Sequence, residues 1–192
     1  ITGSTLGPAP VRIIAASLAA KGCATLDAPI SGGYLAAYDG TLSLMIGGGQ
    51  TTLDQALPVL RAFAKTITRA GDIGAGQAAK LAHQLVFSVN VLALLEGLSL
   101  GVAGGVEPAV LKQIIREGIA NSTVLKLWDD LGPRWKNMLN ATAPGVAPPN
   151  MRKDLHLVLE LAQELGVNLY IGTQASLVAD GGAATGHDDP RL

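Results

Sequence analysis

Between Leu85 and Val102 only Ser88, Asn90, Glu96 and Ser99 are clearly polar. A helix apolar around most of its circumference belongs inside a protein. Glu96 stands in the middle of the run, glycines occupy 97, 101, 104 and 105, and no basic flank marks either end. A charge at mid-span costs about 3 kcal/mol on insertion into a bilayer, so the run reads as a buried helix rather than a membrane span. The stretch "DIGAGQAAKLAHQL", 72–85, then poses a question, because it sets Lys80, His83 and Gln84 at the front of that helix. Polar first turns on a buried helix need either water or a site.

A chain of 192 residues, 48% hydrophobic and 15% charged, can build one or two domains with real cores. Its formal net charge of −1 gives no electrostatic footprint for nucleic acid. No Lys/Arg cluster suggests an anionic membrane surface. The single cysteine, Cys23, excludes an internal disulfide framework and fits a reducing cytoplasm. No Cys/His spacing suggests a metal. The chain opens "ITGSTLGPAP", without an initiator Met, and closes "GGAATGHDDPRL" in a Gly-rich stretch. Both ends look cut, and a segment of a longer protein is the expectation.

Residues 8–21 read as a helix with prolines at its entry and Gly22 as its stop. "CATLDAPI" (23–30) reads as a strand and "SGGYLAAYDG" (31–40) as a loop. "TLSLMIGG" is a second strand, in which Leu42, Leu44 and Ile46 alternate against Thr41, Ser43 and Met45. "TTLDQALPVLRAFA" is helical with Thr51 or Thr52 as N-cap, and "KTITRAG" is a third strand. Such alternation indicates βαβ units in a largely parallel sheet. Beyond Gly76 the pattern gives helices at 76–103, 107–117, 122–130, 149–165 and 173–180. The expected fold class is therefore α/β followed by all-α, with domains at 1–73 and 74–192 and the boundary in "GDIGAG". Ligand sites favour such boundaries.

Three glycine runs invite a phosphate-binding reading. "GAGQAA" matches G-x-G-x-x-A in form, but the fingerprint needs a second strand ending in an acid, and here the helix runs straight through Glu96. "GGGQTT" lacks the third small residue and reads as a strand-to-helix turn. Ser31-Gly32-Gly33 follows Asp27-Ala28-Pro29 at the carboxyl end of a strand, where open α/β sheets bind ligands. Its glycines could bring backbone N–H groups close to an anion. An ordinary flexible turn accounts for the same three residues equally well.

Lys80 is the sharpest feature. A cation in the first turns of a helix faces the positive end of the macrodipole, at a cost of about 0.3–1 kcal/mol. That field alone moves an amine by less than one pKa unit. Bringing a lysine from about 10.4 to the 7–8 or so useful in proton transfer also needs desolvation. Gln84 shares its face at i+4 and His83 flanks it at i+3. An amine that moves a proton and an amide that orients a carbonyl or carboxylate would make a small-molecule site. From the pattern alone, a lysine snorkelling to water is the simpler account. Asp154, near the start of "KDLHLVLELAQEL", has a dipole rationale, and Lys153 could reach an anion from there. His156 shares the polar side with Lys153 and Glu160 and is read as solvated.

Taken in order, "LDAPISGG", "DGTLSLMIGG", "GAGQAAKLAHQL" and "KDLHLVLELA" closely resemble the β-hydroxyacid dehydrogenases, of the 3-hydroxyisobutyrate dehydrogenase and tartronate semialdehyde reductase type. The resemblance covers nearly the whole chain. It implies the end of a Rossmann-type nucleotide-binding domain followed by a helical domain for substrate binding and dimerisation. It further implies NAD or NADP as cofactor and small 3-hydroxy acids or their semialdehydes as substrates. Lys80 matches the family's general acid/base. Ser31, Gly32 and Gly33 match the segment that holds the substrate carboxylate, and Gln84 matches a substrate-binding position. Thr5 and Lys153 match positions close to the cofactor. A soluble, cytoplasmic homodimer or homotetramer is implied, with no nucleic-acid or membrane partner.

The chain departs from the family pattern in places. Position 84 is usually asparagine there, and Gln84 is one methylene longer, enough to shift the amide by roughly 1 Å. His83 also stands where asparagine is common, and Val146 where an aromatic often stands. The family's opening G-x-G-x-x-G is not in this sequence. The alternative is a helical oligomerisation or ligand-binding module without catalysis, which the Lys80, Ser31–Gly33 and Lys153 set opposes.

Overall fold

The computed structural model describes residues 1–127 and 147–181, which fall into two compact units. One comprises Ile1–His83 with Gln163–Leu165, and the other Gln84–Ala162 with Gly166–Leu192. Val146, His187 and the end of the helix expected at 122–130 lie outside the described residues.

The first unit runs α1 (Pro8–Ala19), β1 (Ile30–Ser31), α2 (Gly33–Tyr38), β2 (Leu42–Gly47), α3 (Gln50–Leu60) and β3 (Ala64–Gly71). The sheet order is β1-β2-β3. β2 and β3 are parallel and joined through α3, the expected βαβ unit. β1 instead pairs antiparallel with β2, Ile30 opposite Leu44 and Ser31 opposite Ser43. The sheet is thus mixed rather than largely parallel. A parallel crossover takes about a dozen residues or more, and the connection 32–41 is too short for one. That connection is not a loop throughout: Tyr34-Leu35-Ala36-Ala37 form the core of α2, and Gly40, at φ 67°, ends it.

The strand expected at 23–30 is mostly bridges. Asp27 bridges Thr2 on one side and Gly47 on the other, and only Ile30 and Ser31 make a strand proper. Pro29 between them has no N–H to give a ladder. At α3 the N-cap is Gly49, with no side-chain cap, so Thr51 and Thr52 lie inside the helix. The alternation along β2 is as read: Leu42, Leu44 and Ile46 are buried with Leu26, Ala28, Leu53, Leu60 and Ala64 in one apolar cluster.

The 29-residue helix α4 (Ala75–Ala103) begins in the first unit, and the division falls within it after His83. Its start lies hard against β2. A Cβ on Gly76 would meet the Met45 carbonyl, the Gly47 nitrogen and the Asp27 carboxylate. This close approach explains "GAGQAA": the glycine is there for packing, and no phosphate could enter a space already occupied by backbone.

In the second unit α4 continues beside α5 (Pro108–Glu117), a helical stretch from 123, α6 (Pro149–Leu165) and α7 (Tyr170–Ala179). Val91, Leu94, Leu98 and Val102 form a single buried stripe on α4; the first three cluster with Val124, Leu125, Met151, Leu155, Ala175 and Ala179. α7 begins three residues earlier than expected, because Thr173 sits in its first turn with Oγ1 donating to the Leu169 carbonyl at 2.7 Å.

The expectation of a wholly buried α4 needs correction. By length and composition the helix could cross a membrane, yet only 28% of its most apolar window is buried within the chain. Val86 and Leu100 are 61% and 77% exposed. One stripe is buried in the core, Leu85, Phe87, Val89, Leu92 and Leu95 pack against it only in part, and Val86 and Leu100 remain outside.

Gly76→Ala should cost about 1–3 kcal/mol through overpacking, measured by urea unfolding. Gly97 is also within α4 but has nothing near its missing Cβ, so Gly97→Ala should be neutral or stabilise by up to about 1 kcal/mol. Equal effects at the two positions would refute the packing argument.

Candidate functional site

Lys80 is only 8% exposed, so the helix-start lysine does not lie on a solvated face. Three residues on, His83 is exposed, and its Nε2 lies 3.2 Å from the Ser31 hydroxyl. The structure therefore joins the Ser31–Gly33 segment to the front of α4, a pairing that the two motifs did not announce. Gly32 and Gly33 have φ of 122° and 66°, a region that disfavours side chains. A Cβ on Gly32 would also strike Ala36. The glycines are required by the turn itself, whatever it holds.

Thr5 is half-buried in a turn gripped by a side chain from α4. Gln77 Oε1 accepts from the Leu6 and Gly7 amides at 2.9 and 3.2 Å, while Nε2 donates to the Ser4 carbonyl at 2.9 Å. Gln77 is fully buried, as is Asp27. The Asp27 carboxylate accepts from the Gly74 and Gln77 backbone amides, each at 2.8 Å.

In the second unit Gln84 Nε2 donates to Asp154 Oδ2 at 2.6 Å. Lys153 Nζ lies 2.9 Å from Asp154 Oδ1. Asp154 is 5% exposed and takes its place in the buried stripe Met151, Asp154, Leu155, Val158 and Ala162 of α6. Its setting is that of a buried carboxylate held by partners, not the helix-start charge that its position suggested. Lys153 keeps half its side chain exposed. Among the described residues no group of three or more His, Cys, Asp or Glu could hold a metal.

His156, read as solvated, is exposed but lies 2.8 Å from Asp180 Oδ2, and Arg152 Nε donates to Asp180 Oδ1 at 3.1 Å. The hydrogen bond from His156, helped by that from Arg152, holds the Asp180 carboxyl below its ordinary range against a smaller opposing effect of burial. A carboxyl so depressed adds stability above its unfolded value, near 3.8, and loses it as pH falls through the lower folded value. Both partners are more than a third exposed, so the effect is screened. Asp180→Asn should cost on the order of 0.5 kcal/mol near pH 6. In thermal melts that difference should fade on acidification and be gone once the pH is below the folded value.

The missed residues are Asp27 and Gln77, and for Asp154, noted only as a helix-start charge, its burial and its bond to Gln84. A signal existed for Asp154, an acid in phase with an apolar stripe, and for Asp27, an acid inside an apolar extended run. For Gln77 there was none.

The first unit carries a βαβ core, and the long helix α4 runs from it into an all-helical unit. Comparison with known proteins gives the family. Residues 74–190 match the family model described as NAD-binding of NADP-dependent 3-hydroxyisobutyrate dehydrogenase, and residues 1–71 match the NAD binding domain of 6-phosphogluconate dehydrogenase. A 3-hydroxyisobutyrate dehydrogenase of Pseudomonas aeruginosa is 35% identical over 90% of this chain and 58% of its own length. The 2-hydroxy-3-oxopropionate reductase of Escherichia coli is 32% identical over 86% of this chain and 55% of its own. The crystal structure of a 3-hydroxyisobutyrate dehydrogenase from Salmonella typhimurium superposes with a TM-score of 0.74 at 29% identity, over 91% of this chain and 60% of that one. The chain belongs to the β-hydroxyacid dehydrogenase family, whose cofactor is NAD or NADP. It spans somewhat over half the length of these curated relatives.

The residues present fit part of such a cofactor. The filled space at Gly76 rules out 74–79 as a pyrophosphate cradle. The half-buried Thr5 hydroxyl and the half-exposed Lys153 ammonium are donors of the kind that the amide and phosphate groups of a dinucleotide accept.

Proposed function

We propose that this chain supplies the acid/base, substrate-binding and part of the cofactor-binding residues of an NAD- or NADP-dependent oxidoreductase acting on small 3-hydroxy acids or the corresponding semialdehydes. The observation that carries the reading is the burial of Lys80 at the position where the family has its general acid/base. In this reading residues 1–73 end the nucleotide-binding part, and residues 74–192 form the helical part for substrate binding and association.

Lys80 Nζ takes the substrate's hydroxyl proton in oxidation and returns it in reduction. The Ser31 hydroxyl and the Gly32 and Gly33 amides hold the carboxylate, with His83 beside Ser31 steadying the hydroxyl. Gln84 orients the group at the reacting carbon, its amide fixed from behind by Asp154. Thr5 and Lys153 contact the dinucleotide. The bound nicotinamide supplies the hydride acceptor or donor. The exposed Cys23 suits a reducing cytoplasm. The uncovered apolar side of α4 suits association with a second copy, as a homodimer or homotetramer, which sedimentation would measure. A non-catalytic ligand-binding module gains no support from a buried lysine at the front of a helix whose His83 contacts the Ser31 turn.

In the full-length protein, 3-hydroxy acids should be oxidised with NAD or NADP. Lys80→Ala should lower kcat by about 10²–10⁴-fold with far-ultraviolet circular dichroism unchanged. Turnover above a tenth of wild type would overturn the assignment of Lys80, and failure to bind NADH or NADPH by fluorescence would favour the non-catalytic module.

A further inference from the structure

We propose that Asp27 and Gln77 are positioning residues that hold the Thr5 turn, the strand leading to Ser31 and the start of α4 carrying Lys80 in a single frame. The assignment of these three segments to cofactor, substrate and proton transfer rests on the function proposed above; the mechanical coupling rests on geometry alone.

Asp27 is fixed by its own backbone before its side chain acts. Its N–H donates to the Gly47 carbonyl at 3.0 Å and its carbonyl accepts from Gly47 N–H at 2.8 Å. From that anchored position the carboxylate takes the Gly74 and Gln77 amides, two donors that the first turn of α4 leaves unpaired. Negative charge at this end also complements the macrodipole. There is no slack around it, since a Cβ on Gly47 or on Gly76 would collide with the carboxylate. The helix start has one seat on the sheet.

Gln77 passes the constraint on. Its backbone is held by Asp27, and its side-chain amide makes three bonds to the Ser4–Gly7 backbone. Both acceptor positions of Oε1 are used, so the amide cannot rotate without losing all three. Asp27 lies four residues before Ser31, and Gln77 lies three before Lys80. The Ser31–His83 contact closes the frame on the far side of Lys80. A buried polar network with its members satisfied makes one arrangement rigid where apolar packing would tolerate several.

The test compares Asp27→Asn and Gln77→Met in the full-length protein. Both keep side-chain size; the first removes one acceptor from the α4 amides, and the second removes all three bonds to the Thr5 turn. Backbone amide exchange gives the decisive readout. Asp27→Asn should speed exchange at Leu6 and Gly7, which Asp27 does not touch, as well as at Gly74 and Gln77. In kinetics, Gln77→Met should raise KM for the nicotinamide by roughly tenfold or more with kcat little changed. Asp27→Asn should lower kcat by roughly 10–100-fold, the penalty of misplacing a reacting group by about 1 Å, with KM for the hydroxy acid little changed. Unchanged exchange at Leu6 and Gly7 in Asp27→Asn would overturn the coupling. So would variants whose folded fraction keeps wild-type kcat and KM. If Asp27→Asn does not fold, Gln77→Met decides by exchange at Leu6 and Gly7 and by the KM split. Wild-type protein that turns over no 3-hydroxy acid would defeat the functional reading, and the exchange comparison would still judge the coupling.

Discussion

A carboxylate taken wholly out of water must find directed donors or give up its charge. Asp27 meets this requirement with the amides of a helix start, and much of the first unit follows from that choice. The donors are the ones that helix geometry leaves unpaired, so charge and helix satisfy each other. To bring them within 2.8 Å, α4 must come down onto β2 until backbone meets backbone at Gly76, Gly47 and Met45. Glycine at 47 and 76 is then a steric requirement. The same approach turns Gln77 toward the Ser4–Gly7 turn, where its amide replaces a strand or helix as the partner of three backbone groups.

This accounts for a glycine pattern that looks like a dinucleotide fingerprint and is not one. G-x-G-x-x-A at a helix start binds phosphate when the amides of the turn are open to a ligand. Here Gly74 and Gln77 amides are already bonded to a side chain of the protein. The two uses of glycine differ in what occupies the space beside it, and a spacing rule cannot see that. Context could: no second strand ending in an acid follows, and the sequence reading rejected the pattern for that reason.

What could be read from the sequence was whatever repeats at the period of one element. Leu42, Leu44 and Ile46 declared β2, and the stripe through Met151, Leu155 and Val158 declared α6, because one face of each is buried. The direction of β1 was not legible from alternation, which is the same for parallel and antiparallel strands; the length of the connection 32–41 carried it. α2 was hidden by its flanking glycines, which mark sharp turns at each end of a helix rather than the absence of one. In the candidate site, Lys80, His83 and Gln84 stood out because they break the apolar pattern of one helix. Their partners did not, since Ser31 lies 52 residues from His83 and Asp154 lies 70 from Gln84 in the chain. Pairing at that distance is fixed by the fold, and only the energetic cost of a buried charge hints at it beforehand.

The Gln84–Asp154 contact shows how such a partner changes the chemistry of a residue chosen from sequence. A carboxylate only accepts, so it decides which end of the amide it meets: Nε2 turns to Asp154. The extra methylene of glutamine relative to asparagine therefore does more than lengthen the side chain. It lets the amide reach a buried acid on α6 and be held there at 2.6 Å, while the same acid keeps Lys153 beside it. Removing Asp154 would take this acceptor from the amide and this carboxylate from Lys153, two changes that a deletion at position 84 would not reproduce. The identity of residue 84 and the presence of Asp154 thus belong to one structural decision, made where α4 and α6 share the helical core.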